Sequence, residues 1–185
     1  MSLSRLLSVD GCVLMVVDMQ EAFRDPIGNF PSIASRTATV VSGFGLLGVP
    51  IIVTEQYPKG LGPTAEEIRF SLPEGYEPIE KSTFSAFSAE GIKARLDELK
   101  PQNVVLCGIE THVCVNQTAL ELVEAGYRVH LLTDCVGSRF EHDKQAGLSR
   151  MSAAGVLSSS AEMALFELMR DSRHEKFKDV QTLIK

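Results

Sequence analysis

Tryptophan is absent from this chain of 185 residues, and the remaining aromatics are few: nine phenylalanines and three tyrosines. A nucleic-acid surface built from stacking rings and clustered cations has neither ingredient here, because the formal net charge is −6 and no dense Lys/Arg cluster occurs. Long apolar runs are missing as well. Residues 11–17 form a short run between Asp10 and Asp18, too brief for a membrane span or a signal peptide, so no membrane association and no targeting segment are expected. Only four cysteines occur, Cys12, Cys107, Cys114 and Cys135, with no C-x-x-C spacing. A disulfide framework is therefore not expected, and a reducing cytoplasm is the expected compartment. The four histidines form no H-E-x-x-H motif, which leaves no metal site and no cofactor in the expectation. Linkers, repeats and low-complexity segments are also missing, so residues 1–185 read as one domain.

What the chain does contain is alternation. Apolar runs of strand length lie at Cys12–Val17, 51–54, 104–107 and 128–132, with weaker ones at 78–81 and 156–157. Helical periodicity fills residues 32–47, 89–99, 113–124 and 142–154, and Ser158-Ser159-Ser160 caps a further helix running to Met169. Residues 174–185 carry Phe177, Val180, Leu183 and Ile184 near one face, as a docking helix would. Strands alternating with helices predict an α/β fold, a three-layer α/β/α sandwich with a mostly parallel, doubly wound, Rossmann-like sheet. In such a sheet ligands gather at the carboxyl ends of the strands, near the switch in strand order. Asp18, Lys81 and Cys114 all fall at such ends.

Cys114 lies in Gly108-Ile109-Glu110-Thr111-His112-Val113-Cys114-Val115, between an expected strand and the first turn of an expected helix. Unpaired backbone N–H groups and the helix dipole at that place lower a thiol's pKa and can hold an oxyanion. A buried structural cysteine is the competing reading. Asp18 can accept a thiol proton or cap its turn; Lys81 can steady a carboxylate and a thiolate if buried, or pair with Glu80 at the surface. His112 stands two residues from Cys114, where side chains point to different sides, so a Cys–His dyad is not expected. Gly43-Phe44-Gly45-Leu46-Leu47-Gly48 fits G-x-G-x-x-G, but it follows a helix and precedes a strand, the reverse of a dinucleotide site. Those glycines are expected to end a helix and to allow close packing.

Val17-Asp18-Met19-Gln20-Glu21-Ala22-Phe23, Val53-Thr54-Glu55-Gln56-Tyr57-Pro58, Glu80-Lys81-Ser82-Thr83-Phe84-Ser85 and the segment from Gly108 to Cys114 together resemble, in order, the isochorismatase-like cysteine hydrolase superfamily. The resemblance covers nearly the whole chain. It implies the same three-layer fold, a catalytic triad of Asp18, Lys81 and Cys114, and a cis peptide between Ile109 and Glu110 that turns the Glu110 N–H toward the Cys114 N–H as an oxyanion hole. Metal-dependent nicotinamidases carry Asp-x-His where this chain has Glu55-Gln56-Tyr57, and phenazine-type members lack the cysteine. The run from Thr54 to Gly62 looks most like the metal-free isochorismatase domain-containing subgroup.

The resemblance implies a cysteine hydrolase acting on a small amide-like or acyl substrate, with attack on C–N bonds through a Cys114 thioester. Asp18 would serve as acid and base and Lys81 as charge stabiliser. Phe23, Tyr57, Phe84 and Val113 flank these segments and are expected to line the substrate pocket. Two rivals remain: a catalytically quiet binding or scaffold protein on the same fold, and a redox role for Cys114. Family habit adds an expected homo-oligomer.

Overall fold

Parallel strands buried on both faces must feed two cores at once, and β1 (Cys12–Val17) does so by simple alternation. Cys12, Leu14 and Val16 belong to one apolar cluster, while Val13, Met15 and Val17 belong to the other. The same division runs through β4 (Asn103–Ile109), where Val105, Cys107 and Ile109 face one side and Val104 and Leu106 the other. The computed structural model describes residues 6–185. Its sheet has six strands in the order β3-β2-β1-β4-β5-β6, with every pairing parallel. The other strands are β2 (Ile51–Gln56), β3 (Ile79–Lys81), β5 (Arg128–Gly137) and β6 (Leu157–Ser159).

Helices cover both faces, as the alternating pattern requires. In chain order they are α1 (Phe30–Leu46), α2 (Pro58–Leu61), α3 (Glu66–Arg69), α4 (Glu90–Leu99), α5 (Asn116–Glu124), α6 (Glu141–Ala153), α7 (Ala161–Met169) and α8 (Phe177–Ile184). Residues of α1, α3, α7 and α8 pack into one cluster, and residues of α4, α5 and α6 into the other. The C-terminal helix docks through Val180, which is fully buried.

Several boundaries differ from those read in the sequence, each for a local reason. β5 continues to Gly137 because a bulge between Leu131 and Val136 lets the strand rejoin β4. Bulged Asp134 then takes Arg36 at 3.0 Å and the Ala161 N–H at 2.9 Å. β6 runs through Ser159, so Ser160 alone caps α7, its hydroxyl accepting the Met163 N–H at 3.2 Å. The expected helix over 113–124 is split: Thr111–Val115 forms a wide π-type turn and α5 begins only at Asn116. Two short helices, α2 and α3, interrupt the stretch after β2 that sequence periodicity leaves blank.

Two glycines serve packing. Gly43 of α1 lies under Leu165 of α7, where a Cβ would sit 2.5 Å from a leucine methyl, and Gly48 leaves the helix at φ 74°. The glycine-rich run therefore joins two helices and a turn, with no strand before it. At Gly108 (φ 125°) a Cβ would stand 2.0 Å from the Val17 carbonyl oxygen, so β4 meets β1 there only because the side chain is hydrogen.

Candidate active site

Strands β3, β2, β1 and β4 are neighbours, and their carboxyl ends bring together residues distant in sequence. The junction of β1 and β4 is the switch in strand order where α/β sheets bind ligands. Asp18 follows β1 in the left-handed region (φ 51°), a conformation aspartate tolerates better than most residues. That bend turns its carboxylate inward, and only 1% of the residue is exposed. Lys81 ends β3, two strands away, and reaches across β2 to donate to Asp18 Oδ2 at 2.6 Å. Its ammonium also gives to Gln56 Oε1 at 2.7 Å and to the carbonyls of Thr83 and Phe84 at 3.0 and 3.1 Å. A charge this deep persists because its donors are met on all sides. Lys81 is thus no surface lysine.

The connecting strand supplies the framework. Thr54 donates its hydroxyl to Asp18 Oδ1 at 2.7 Å, and Gln56, two residues on and so on the same face, holds Lys81. Gln20 locks this strand end by accepting the Gln56 N–H at 2.8 Å and giving its amide to the carbonyls of Gln56 and Gly62. Thr54, Gln56 and Gln20 are not among the site residues expected from the sequence, although period-two alternation in β2 puts Thr54 and Gln56 on the face that carries the pair.

Cys114 sits in the π-type turn after β4, 8% exposed. The Ile109–Glu110 peptide bond is cis. Within the turn the N–H groups of Val113 and Val115 both donate to the Glu110 carbonyl, at 3.1 and 3.2 Å. The thiol is pushed up to about 12, first by burial, then by the charge of the neighbouring Asp18 carboxylate, against the opposing pull of Lys81. This reverses the expectation of a lowered pKa. Burial and the carboxylate outweigh the helix terminus, and the turn separates Cys114 from the regular α5 end. The His112 ring faces Ser138, with Nδ1 3.0 Å from its hydroxyl.

The four expected pocket residues do not stand alike. Tyr57 and Phe84 are 62% and 57% exposed, yet their backbones join the site: the Tyr57 N–H donates to the Lys81 carbonyl at 3.0 Å, and the Phe84 carbonyl accepts from Lys81. Val113 is half-buried in the cluster that contains Cys114. Phe23 packs against the opposite cluster, with Met19, Ile27 and Phe30, on the other side of the sheet from Cys114. A surface cleft of about 750 Å³ lies elsewhere, lined by Glu55, Arg69, Phe70 and Tyr76 among others, and contains none of Asp18, Lys81 and Cys114. Among the described residues no cluster of three or more His, Cys, Asp or Glu is placed to hold a metal, and no helix is long and apolar enough to cross a membrane.

Residues 12–162 match the isochorismatase domain. The chain belongs to the isochorismatase family. Within it, isochorismatase domain-containing protein 2 of Homo sapiens is 41% identical over 186 residues, covering all of this chain and 87% of that protein. The protein of the same name from Danio rerio is 41% identical over 179 residues, 96% of this chain and 89% of its own. A solved structure named MAR1 ribonuclease, from Caenorhabditis elegans, superposes with a TM-score of 0.92 at 38% identity, over 97% of this chain and 92% of that one. Membership of the isochorismatase family supports a hydrolase.

Proposed function

We propose that the protein hydrolyses a small amide or related acyl compound through a Cys114 thioester, with Asp18 as acid and base and Lys81 as charge stabiliser. The observation that carries this reading is the buried Lys81–Asp18 contact of 2.6 Å beside Cys114, whose thiol lies close enough to the same carboxylate to be raised by its charge. With its pKa raised by burial and by Asp18, the Cys114 thiol rests protonated rather than as thiolate at pH 7. Proton removal therefore accompanies attack. Asp18 takes the thiol proton as Sγ bonds to the substrate carbonyl carbon, and the C=O pair moves onto oxygen. The N–H groups of Glu110 and Cys114 receive that oxyanion; the Cys114 N–H does not share the Glu110 carbonyl that its two neighbours use. Collapse expels the amine or alcohol with the proton held by Asp18. Water, deprotonated by Asp18, then attacks the thioester, and the carboxylic acid leaves as the proton returns to sulfur. Throughout, Lys81 keeps the carboxylate in place and offsets its charge.

Tyr57, Phe84 and Val113 form the wall nearest the triad in this reading, and Phe23 supports the layer behind Asp18. The substrate needs no metal or cofactor. We further take the chain to act as a cytoplasmic homo-oligomer of one domain, its four free buried thiols kept reduced. A ribonuclease reading, which the name of the Caenorhabditis elegans relative invites, meets a chain of net charge −6, whose surface lacks the cation density that phosphodiester backbones require. The test is hydrolysis of a panel of small amides, carbamoyl compounds and activated esters, beside a single-stranded RNA. Turnover lost in Cys114→Ser and in Asp18→Asn, with both variants folded, supports the proposal. Turnover retained in purified Cys114→Ser, or RNA cleavage alone, contradicts it.

A further inference from the structure

A nucleophile carried on a π-type turn is held by fewer regular backbone bonds than one on an α-helix, so something else must fix its direction. Three consecutive residues at the start of the turn, its cap Glu110 followed by Thr111 and His112, are each tied to Gly137-Ser138-Arg139, where β5 ends. Glu110 Oε1 accepts the backbone N–H and the Nε–H of Arg139, at 3.0 and 3.1 Å. Thr111 gives its hydroxyl to the Gly137 carbonyl at 3.0 Å. The His112 ring meets the Ser138 hydroxyl at 3.0 Å. On the far side α6 presses against the same residues, since a Cβ at Gly147 would lie 2.9 Å from His112 Cα. From that helix Asp143 Oδ2 stands 3.9 Å from His112 Nε2. His112 is thus the member of the stitch that lies between both flanking elements, its ring Nδ1 in hydrogen-bond contact with Ser138 and its backbone packed against Gly147 of α6, with Asp143 of that helix facing Nε2.

We propose that His112, held between Ser138 and Asp143, is a positioning residue that sets the rotation of the nucleophile turn and so aims the Cys114 thiol at Asp18. This rests on Cys114 being the nucleophile. No hydrogen bond joins the imidazole to the Cys114 thiol or the Asp18 carboxylate; it acts through the short stretch of backbone that leads to Cys114. Losing its contact with Ser138 frees the turn between two points, Thr111 and α5, and a thiol displaced by about an ångström from its base can lose up to about a hundredfold in rate.

The experiment is the pre-steady-state release of p-nitrophenol from p-nitrophenyl acetate, with the acetyl group located by peptide mass spectrometry, in wild type, Cys114→Ala, His112→Ala, His112→Asn and Ser138→Ala. Amide hydrogen exchange over residues 110–115 and melting temperatures are followed in each. Acetylation at Cys114 is expected to slow tenfold or more in His112→Ala and Ser138→Ala at unchanged melting temperature, with faster exchange across the turn. His112→Asn, whose amide nitrogen stands where Nδ1 does, is expected to recover most of the rate. An unchanged rate in His112→Ala, or a loss that Asn does not restore, overturns the inference. If wild type is not acetylated at Cys114 at all, the proposed function fails instead. The inference is then judged by exchange alone: faster exchange at 110–115 in His112→Ala supports it, and unchanged exchange overturns it.

Discussion

Asp18 and Lys81 show how far one contact depends on its company. Both side chains are essentially out of water, and each is held by a further polar group, Thr54 for the carboxylate and Gln56 for the ammonium. Removing one charge leaves the other buried and unpaired, which costs about 3–5 kcal/mol. Lys81→Met is expected to lose stability of that order in urea unfolding, and Asp18→Asn with Lys81→Met together are expected to lose less than the sum of the singles. The thiol has its own pH signature. Because the folded Cys114 is raised to about 12 from an ordinary 9, its contribution to stability is complete below pH 9 and fades as pH rises beyond it. His130 acts on the acid side: it is buried, its Nε2 has no hydrogen-bond partner, and burial lowers its pKa below the usual 6.5. An unfolded chain binds a proton there that the folded one refuses. Stability is therefore expected to fall as pH drops below 6.5, and His130→Leu should flatten that slope in melts between pH 7.5 and 5.5.

At the scale of elements, the β1–β4 junction and the helix caps carry distinct energies. Gly108→Ala places a methyl against the Val17 carbonyl at a φ that side-chain-bearing residues rarely adopt, and is expected to cost about 3 kcal/mol or more in urea unfolding. Ser160→Ala removes a single side-chain acceptor from the start of α7 and is expected to cost about 1 kcal/mol by the same measurement. The strands were legible in the sequence because apolar runs such as Val13 to Val17 admit little else. Boundaries were less so where tertiary contact decides them. The bulge in β5 answers to Arg36 and α7, and nothing in residues 131–136 alone announces it. The π-type turn is set by stitching to Gly137-Ser138-Arg139, a partner far along the chain, so local periodicity read it as ordinary helix.

For the whole molecule, the order of strands does what sequence distance hides. Asp18, Lys81 and Cys114 are separated by tens of residues, yet each stands at a carboxyl end on one side of a sheet ordered 3-2-1-4-5-6. Recurring strand ends made the three residues visible as candidates. Their electrostatics were not visible, because the pKa of a thiol depends on how completely it is buried and on what faces it. The same enclosure makes chain-wide accessibility a readout. Cys12, Cys107 and Cys135 are 3%, 0% and 0% exposed and lie within β1, β4 and β5, whereas Cys114 lies in a turn and is 8% exposed. Native protein is accordingly expected to take up one iodoacetamide, at Cys114, before any other thiol reacts, and four in urea, counted by intact mass.

Whether a covalent bond forms at Cys114 decides the proposed mechanism, and intact-protein mass spectrometry reads that directly. Wild type and Cys114→Ala are incubated with small amides, carbamoyl compounds and activated esters and quenched in acid at short times. An acyl adduct on wild type alone, mapped to Cys114 and decaying as product appears, is the expected result. Product formed at equal rates by both proteins would contradict it by showing turnover without Cys114; no adduct and no hydrolysis across the panel would contradict it and leave the fold as a binding scaffold.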